Sequence, residues 1–460
     1  MGLRERATNY AKEKLIKEIM HLLPKFSTKN VIRMIELGES ITNDPEYKYN
    51  ARRLRELFEE GHPAAILIKD VINSLSRQAR DKLIQNLFIN AFLTGINRRK
   101  EILNTEGWQP PQFVVISPTM RCNLKCPGCY AGLYPQDEGL PFETIDRILT
   151  EGKELGMYFN TMSGGEVFMR KDIFDIWEKH NDMYFQIYTN GTMINEKVAD
   201  KLAKLGNVAP MMSLEGFEEA TDERRGKGTF KKVMRAMDLL RERGLVFGAS
   251  LTETRENIET LASYDFVDML VEKGAMVIWY FQYIPIGRYP SMDIMPTPKQ
   301  RDWLRRRLKE IRDSRPIFIG DFWNDGPYVK GCIAGGREYL HINSEGNVEP
   351  CVFAHFAVDN IKNKSLRDVL NSPFMRGIRK LQPYRENLLT PCMIIDNPHV
   401  LRKVVNEYHA RPTCEGAEEI ITTFAEDLDR YAEEYKKYAD PAWEAEWKST
   451  IEEKKKKNII

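Results

Sequence analysis

The sequence predicts an α/β protein, a parallel sheet joined by crossover helices, with a helical region before it and a cysteine-rich extension after it. Three observations lead there. Between residues 112 and 288, apolar β-branched runs alternate six times with stretches of helical period. Three cysteines, Cys122, Cys126 and Cys129, stand within eight residues just behind the first of those runs. The other four, Cys332, Cys351, Cys392 and Cys414, all fall between residues 330 and 416.

Length and composition narrow the class. A chain of 460 residues has room for two or three domains. With 68 Lys+Arg against 67 Asp+Glu the net charge is +1, which speaks against a nucleic-acid partner. No stretch reaches the roughly 18 apolar residues of a membrane-spanning helix. Met1 to Arg6 lacks the apolar core of a secretion signal, and Arg6 breaks the myristoylation pattern. Seven cysteines are too few, and odd in number, for a disulfide scaffold. The expected setting is cytoplasmic and reducing.

Four regions are expected, at 1–108, 109–295, 296–416 and 417–460. In the first, Leu15, Ile16, Ile19, Met20, Leu22 and Leu23 follow a helical period. From Pro63 the pattern returns in Ile66, Leu67, Val71, Ile72, Leu75, Leu83, Leu87, Phe88, Phe92 and Leu93. Lys69, Arg77, Arg80, Lys82, Arg98, Arg99 and Lys100 fill the polar faces. Such helices pack on an enzyme core or lie weakly on a membrane surface; packing is the simpler reading. In the second region strands are expected at 113–116, 158–162, 185–189, 210–214, 246–251 and 275–283. Helices are expected at 142–155, 173–180, 196–205, 230–243 and 256–273. Sites on such sheets lie at the carboxyl ends of the strands. The basic stretch 296–314 reads as a solvated helix, because Asp302, Glu310 and Asp313 interleave with its cations. Residues 417–448 read as an acidic helix, and Lys454 to Lys457 as a disordered basic tail.

The chemistry is carried by Cys122-x3-Cys126-x2-Cys129. A cubane cluster takes four ligands, so a loop giving three thiolates leaves one iron open. Structural zinc prefers paired C-x2-C or C-x4-C elements. The motif resembles that of the radical S-adenosylmethionine (SAM) superfamily. The resemblance implies a partial (β/α)6 barrel and a [4Fe–4S] cluster on Cys122, Cys126 and Cys129, whose open iron is chelated by SAM. It also implies reductive cleavage of SAM to a 5′-deoxyadenosyl radical, fed by a flavodoxin- or ferredoxin-type electron donor. Later loops match the family in order. Ser163-Gly164-Gly165-Glu166 corresponds to the segment that binds the SAM amino group, with Glu166 as anionic partner. Thr189-Asn190-Gly191 and Ser213-Leu-Glu215-Gly216 follow, the last with Glu for the usual Asp. Thr252 ends the fifth strand, and Ile286 lies in the loop matched to adenine. Gly128 departs from the aromatic residue common before the third cysteine; Tyr130 or the loop after the sixth strand is expected to compensate.

Cys332-x13-Gly346-x4-Cys351 resembles the opening of the SPASM and twitch extensions, with a hairpin expected around Ser344 to Asn347. That resemblance implies a second [4Fe–4S] cluster on Cys332, Cys351, Cys392 and Cys414. Full ligation would suit it to electron transfer. His341 and His355 read as structural. The expected function is hydrogen abstraction from a substrate not identified by sequence. A lipid or other small molecule leads, because the amphipathic N-terminal helices lack the strand pair of a peptide-recognition winged helix. A peptide maturase is the alternative, and a zinc-bound scaffold the reading of another class.

Overall fold

The computed structural model of the chain describes residues 27–41 and 45–457. The stripe at 15–23 lies outside them. The centre is a sheet whose first seven strands are parallel and lie side by side in chain order. They are β1 (Val115–Ile116), β2 (Phe159–Met162), β3 (Tyr184–Thr189), β4 (Val208–Leu214), β5 (Gly248–Glu253), β6 (Val277–Gln282) and β7 (Phe318–Asp321). Helices cover the outer face, so β3 and β4 are buried at nearly every position, as parallel strands require. All six expected strands form.

Three expectations about neighbouring segments change. The helix expected at 256–273 is two, Ile258–Leu261 and Tyr264–Glu272, because the Ser263 hydroxyl accepts from Phe266 N and starts a new helix. The hairpin forms as β8 (His341–Ile342) and β9 (Val348–Glu349), but it does not stand apart. β8 pairs in parallel with β1, so the cysteine-rich extension continues the barrel's own sheet. A buried relay locks this junction. Ser117 Oγ lies 2.7 Å from His341 Nε2, and His341 Nδ1 lies 2.6 Å from Glu349 Oε2. Tyr134 OH donates to Glu349 Oε1 at 2.8 Å, tying in the loop behind the cysteine motif.

Helix Pro298–Arg312 is the third. It is not a solvated charged helix; it leads into β7 and buries Leu304, Leu308 and Ile311. Its Arg301 is fully buried, pairs with Asp396 at 2.5 Å and lies 3.8 Å from the centre of the Tyr435 ring. Asp396 in turn accepts from Cys392 N at 2.9 Å. One pair thus joins the barrel, the extension and the C-terminal helix Ala425–Glu446. Asp396→Ala strands a buried guanidinium, and we expect it to lower stability by about 3–5 kcal/mol. The denaturant midpoint of the holoprotein measures this; a change under 1 kcal/mol would refute the bridging role.

The N-terminal helices Arg77–Lys82, Leu83–Thr94 and Gly95–Glu106 cap the barrel where the strands begin. Asn86 Nδ2 donates to Met183 O before β3, Gln78 Nε2 to Leu205 O before β4, and Arg99 Nη1 to Gly156 O before β2. Lys82 bonds Asn181 O, and Arg98 bonds Glu154 O. Much of the expected basic face is therefore spent on the barrel. The basic tail is also ordered: helix Lys448–Lys456 buries Ile451.

Candidate active site

The carboxyl ends of the strands open into a chamber of about 330 Å³. Cys122, Cys126 and Cys129 line it from the loop after β1, as do Tyr130, Gly164, Gly165, Asn190, Ser213 and Thr252. Seven strand ends and one loop thus bring most of the expected site to one place. Tyr130 OH bonds Ser163 Oγ at 2.5 Å, fixing the ring over the turn after β2. Asn190 Nδ2 donates to Asn123 Oδ1 at 2.8 Å inside the cysteine loop, 3.9 Å from Cys122 Sγ.

Two expected contacts fall elsewhere. Glu166 is fully buried and does not line the chamber. Its carboxylate accepts from Thr189 Oγ1 at 2.8 Å, Asn190 N at 2.8 Å and Phe168 N at 3.2 Å. It braces the Thr-Asn-Gly turn and leaves no face for the SAM amino group, which is a correction to the role the resemblance gives it. Burial raises its pKa, against these donors. Ile286 is buried behind the wall; Gln282, Tyr283 and Ile284 line the chamber in its place. A β-carbon on Gly128 (φ +66°) would stand 2.7 Å from the Tyr283 ring. The residue after β6 therefore fills the space that an aromatic neighbour of Cys129 would take, as expected of that loop.

Sequence reasoning missed Arg224 and Arg225, both of which line the chamber. Glu215 holds them, at 2.6 Å to Arg224 Nη1 and 2.5 Å to Arg225 Nη2. They come from helix Glu218–Arg225, whose lack of apolar spacing hid it. The signal was Glu215 itself, a carboxylate at a strand end in need of cations.

The thiols fit iron. Burial pushes Cys122 up to about 11 and raises Cys129, against the pull of Arg224 and Arg225 on the latter. Such thiols lose their protons only when a metal supplies compensating charge. In the extension, Cys332, Cys351 and Cys392 line one cavity, with Tyr339 OH 3.0 Å from Cys351 Sγ. Burial pushes Cys351 up to about 12. Cys414 does not join them. Its Sγ lies 3.2 Å from His355 Nδ1, and it packs beside Met120, Ala131 and Tyr134 on the other side of the hairpin junction. The expected set of four is therefore three thiols together and one apart.

A parallel barrel with three thiols on its first loop and three more beside an appended hairpin defines an iron–sulfur enzyme of SAM. Residues 116–266 match the radical SAM superfamily, and residues 332–393 match the SPASM iron–sulfur cluster-binding domain. The chain is 30% identical over 313 residues to the Fe-coproporphyrin III synthase of Methanosarcina barkeri, 59% of this chain and 77% of that one. It is 25% identical over 305 residues to the PqqA peptide cyclase of Granulibacter bethesdensis, 64% of this chain and 81% of the relative. Mycofactocin maturase MftC of Mycolicibacterium smegmatis is 28% identical over 267 residues, covering 54% of this chain and 66% of MftC. In fold, Streptococcus suis SuiB bound to SAM superposes with a TM-score of 0.55 at 21% identity, covering 65% of this chain and 76% of SuiB. The chain belongs to the radical SAM superfamily and carries a SPASM domain. It is an enzyme whose cofactors are a [4Fe–4S] cluster, SAM and auxiliary iron–sulfur. The zinc-scaffold reading is set aside.

Proposed function

We propose that the enzyme removes a hydrogen atom from a carbon of its substrate inside the strand-end chamber, with Cys122, Cys126 and Cys129 as ligands of the SAM cluster. The observation that carries this is the convergence of those thiols with Gly164, Gly165, Asn190, Ser213 and Thr252 on one enclosed space. When bound, the cluster supplies one electron that cleaves SAM to methionine and a 5′-deoxyadenosyl radical. The chain's own residues bind and orient. Gly165 lets the sulfonium ligand's amino-acid end approach the backbone. Arg224 and Arg225 give its carboxylate a cationic partner, charge-balanced by Glu215. Tyr188, Trp279, Phe281, Phe322 and Phe353 form an apolar wall that keeps water from a radical. An external one-electron donor is required.

For the substrate, the relatives' names favour a peptide over the small molecule expected from sequence. PqqA peptide cyclase and MftC are maturases, and SuiB is known bound to its precursor peptide SuiA. A peptide-modifying maturase is therefore the leading reading. The auxiliary iron–sulfur would take the surplus electron of an oxidation. Because only three thiols line its cavity, this role no longer rests on full cysteine ligation. The test is incubation of the reduced holoenzyme with SAM and with short peptides encoded beside its gene. A peptide-dependent rise in 5′-deoxyadenosine and a mass loss of 2 Da, two hydrogens, support it; SAM cleavage indifferent to every peptide counts against it. A second reading, an apolar non-peptide substrate, is favoured by the aromatic wall just described.

A further inference from the structure

A second cavity, of about 530 Å³, adjoins the first. Trp279, Phe322, Ile333 and Phe353 line both, so a single aromatic wall stands between the SAM chamber and this space. The further lining is apolar: Ala64 and Leu67 from helix Pro63–Ser74, and Ile317, Phe318, Ile319, Tyr328 and Val329 around β7. The polar side chains that reach it are already engaged. Arg312 pairs with Asp325 at 2.7 Å, Asp321 accepts from Asn324 N at 3.0 Å, and His62 Nδ1 accepts from Ala64 N at 3.1 Å.

The cavity opens through an unusual rim. Phe318, Tyr328 and Val329 line it and are also 51%, 58% and 42% exposed. Large apolar side chains gathered at the mouth of an apolar cavity mark a ligand's entry. Lys330, exposed and in a left-handed turn (φ +63°), stands beside them. Tyrosine, an aliphatic residue and lysine in sequence are the composition that settles at a membrane–water boundary. A peptide backbone entering here would need partners for its N–H and C=O groups, and burial without them is costly. A hydrocarbon needs none. The lining from helix Pro63–Ser74 and β7 carries no sulfur, so iron bound at Cys332, Cys351 and Cys392 does not use it up.

We propose that this cavity takes the hydrocarbon chain of an anionic membrane lipid, which enters past Phe318, Tyr328 and Val329 with its headgroup phosphate at Lys330 and extends to the Trp279 wall. The proposal deepens the apolar-substrate reading and rests on it for turnover, though not for binding. In the test, holoprotein without reductant is mixed with phosphatidylglycerol vesicles whose acyl chains are brominated, and tryptophan fluorescence is followed. We expect quenching beyond that of unbrominated vesicles, much of it absent in Trp279→Phe. Phosphatidylcholine or high salt should weaken it, since Lys330 and the headgroup are screened. Phe318→Asp with Val329→Asp should raise the half-quenching lipid concentration roughly tenfold or more, because a carboxylate at the mouth must stay hydrated. Val329→Asp alone, at an exposed position, guards against a folding defect. Both variants should still cleave SAM under dithionite at the wild-type rate. No bromine-specific quenching, quenching unchanged in both variants, or quenching reversed by an apolar peptide would overturn the proposal. Failure of the wild type to form 5′-deoxyadenosine would instead sink the proposed reaction and leave the binding result standing.

Discussion

Replacing Cys122, Cys126 and Cys129 together with alanine should abolish 5′-deoxyadenosine formation under dithionite and remove about four iron atoms per chain. The iron at Cys332, Cys351 and Cys392 should remain. The reasoning is geometric. The three thiols stand on one loop and line one chamber, while the other three line a different cavity. Electron paramagnetic resonance of the reduced variant should show only the auxiliary signal, unmoved by SAM. Iron analysis and product chromatography give the outcome directly. A variant that keeps both its full iron content and its SAM cleavage would place the reactive cluster elsewhere.

Gly165→Val should do more than weaken SAM binding; it should also cost the SAM cluster. From sequence alone the expected damage is confined to the SAM amino-acid end, because a branched side chain narrows the approach. The structure adds a harder constraint. A β-carbon at this position would lie 2.2 Å from Arg121 O and 2.5 Å from Met120 C. Those are backbone atoms of the segment leading into Cys122, and Gly165 N and Glu166 N donate to Thr119 O and Arg121 O there. The loop cannot give way without moving its first ligand. Even Gly165→Ala should therefore lower iron occupancy at this site and reduce SAM cleavage by at least tenfold, about 1.4 kcal/mol or more. Full iron with only a weaker SAM affinity would show that the turn after β2 serves the ligand alone.

The two cavities bear on how the substrate question divides. Relatives point to peptides, while the second cavity of this chain is shaped for an apolar chain. The N-terminal region contributes to both the support and the access. Helices 77–106 are bonded to the loops before β2, β3 and β4, at the end of the barrel away from the chemistry. Helix Pro63–Ser74, by contrast, reaches the second cavity with Ala64 and Leu67. Among the described residues no helix is long and apolar enough to cross a membrane. Contact with lipid would therefore come through the rim at Phe318, Tyr328 and Val329 and not through a spanning segment.

The sequence by itself determined what local pattern can encode. Period-two and period-3.6 apolar spacing marked six strands and most of their helices, since burial on a parallel sheet leaves that imprint on neighbouring residues. Cysteine spacing marked the cluster loop, because three ligands of one cubane must be close in the chain when one loop carries them. Only the tertiary structure decided relations between residues far apart in sequence. Glu166 read as a ligand contact until Thr189 and Asn190 closed around it. Arg224 and Arg225 had no pattern of their own and gained a role through Glu215. Arg301 looked solvated because its partner Asp396 lies 95 residues away. Cys414 counted as a fourth ligand until folding placed it beside His355 and Tyr134. In each case the deciding quantity is the loss of water around a polar group. That loss is set by which distant segment packs over it, and no window of sequence contains both partners.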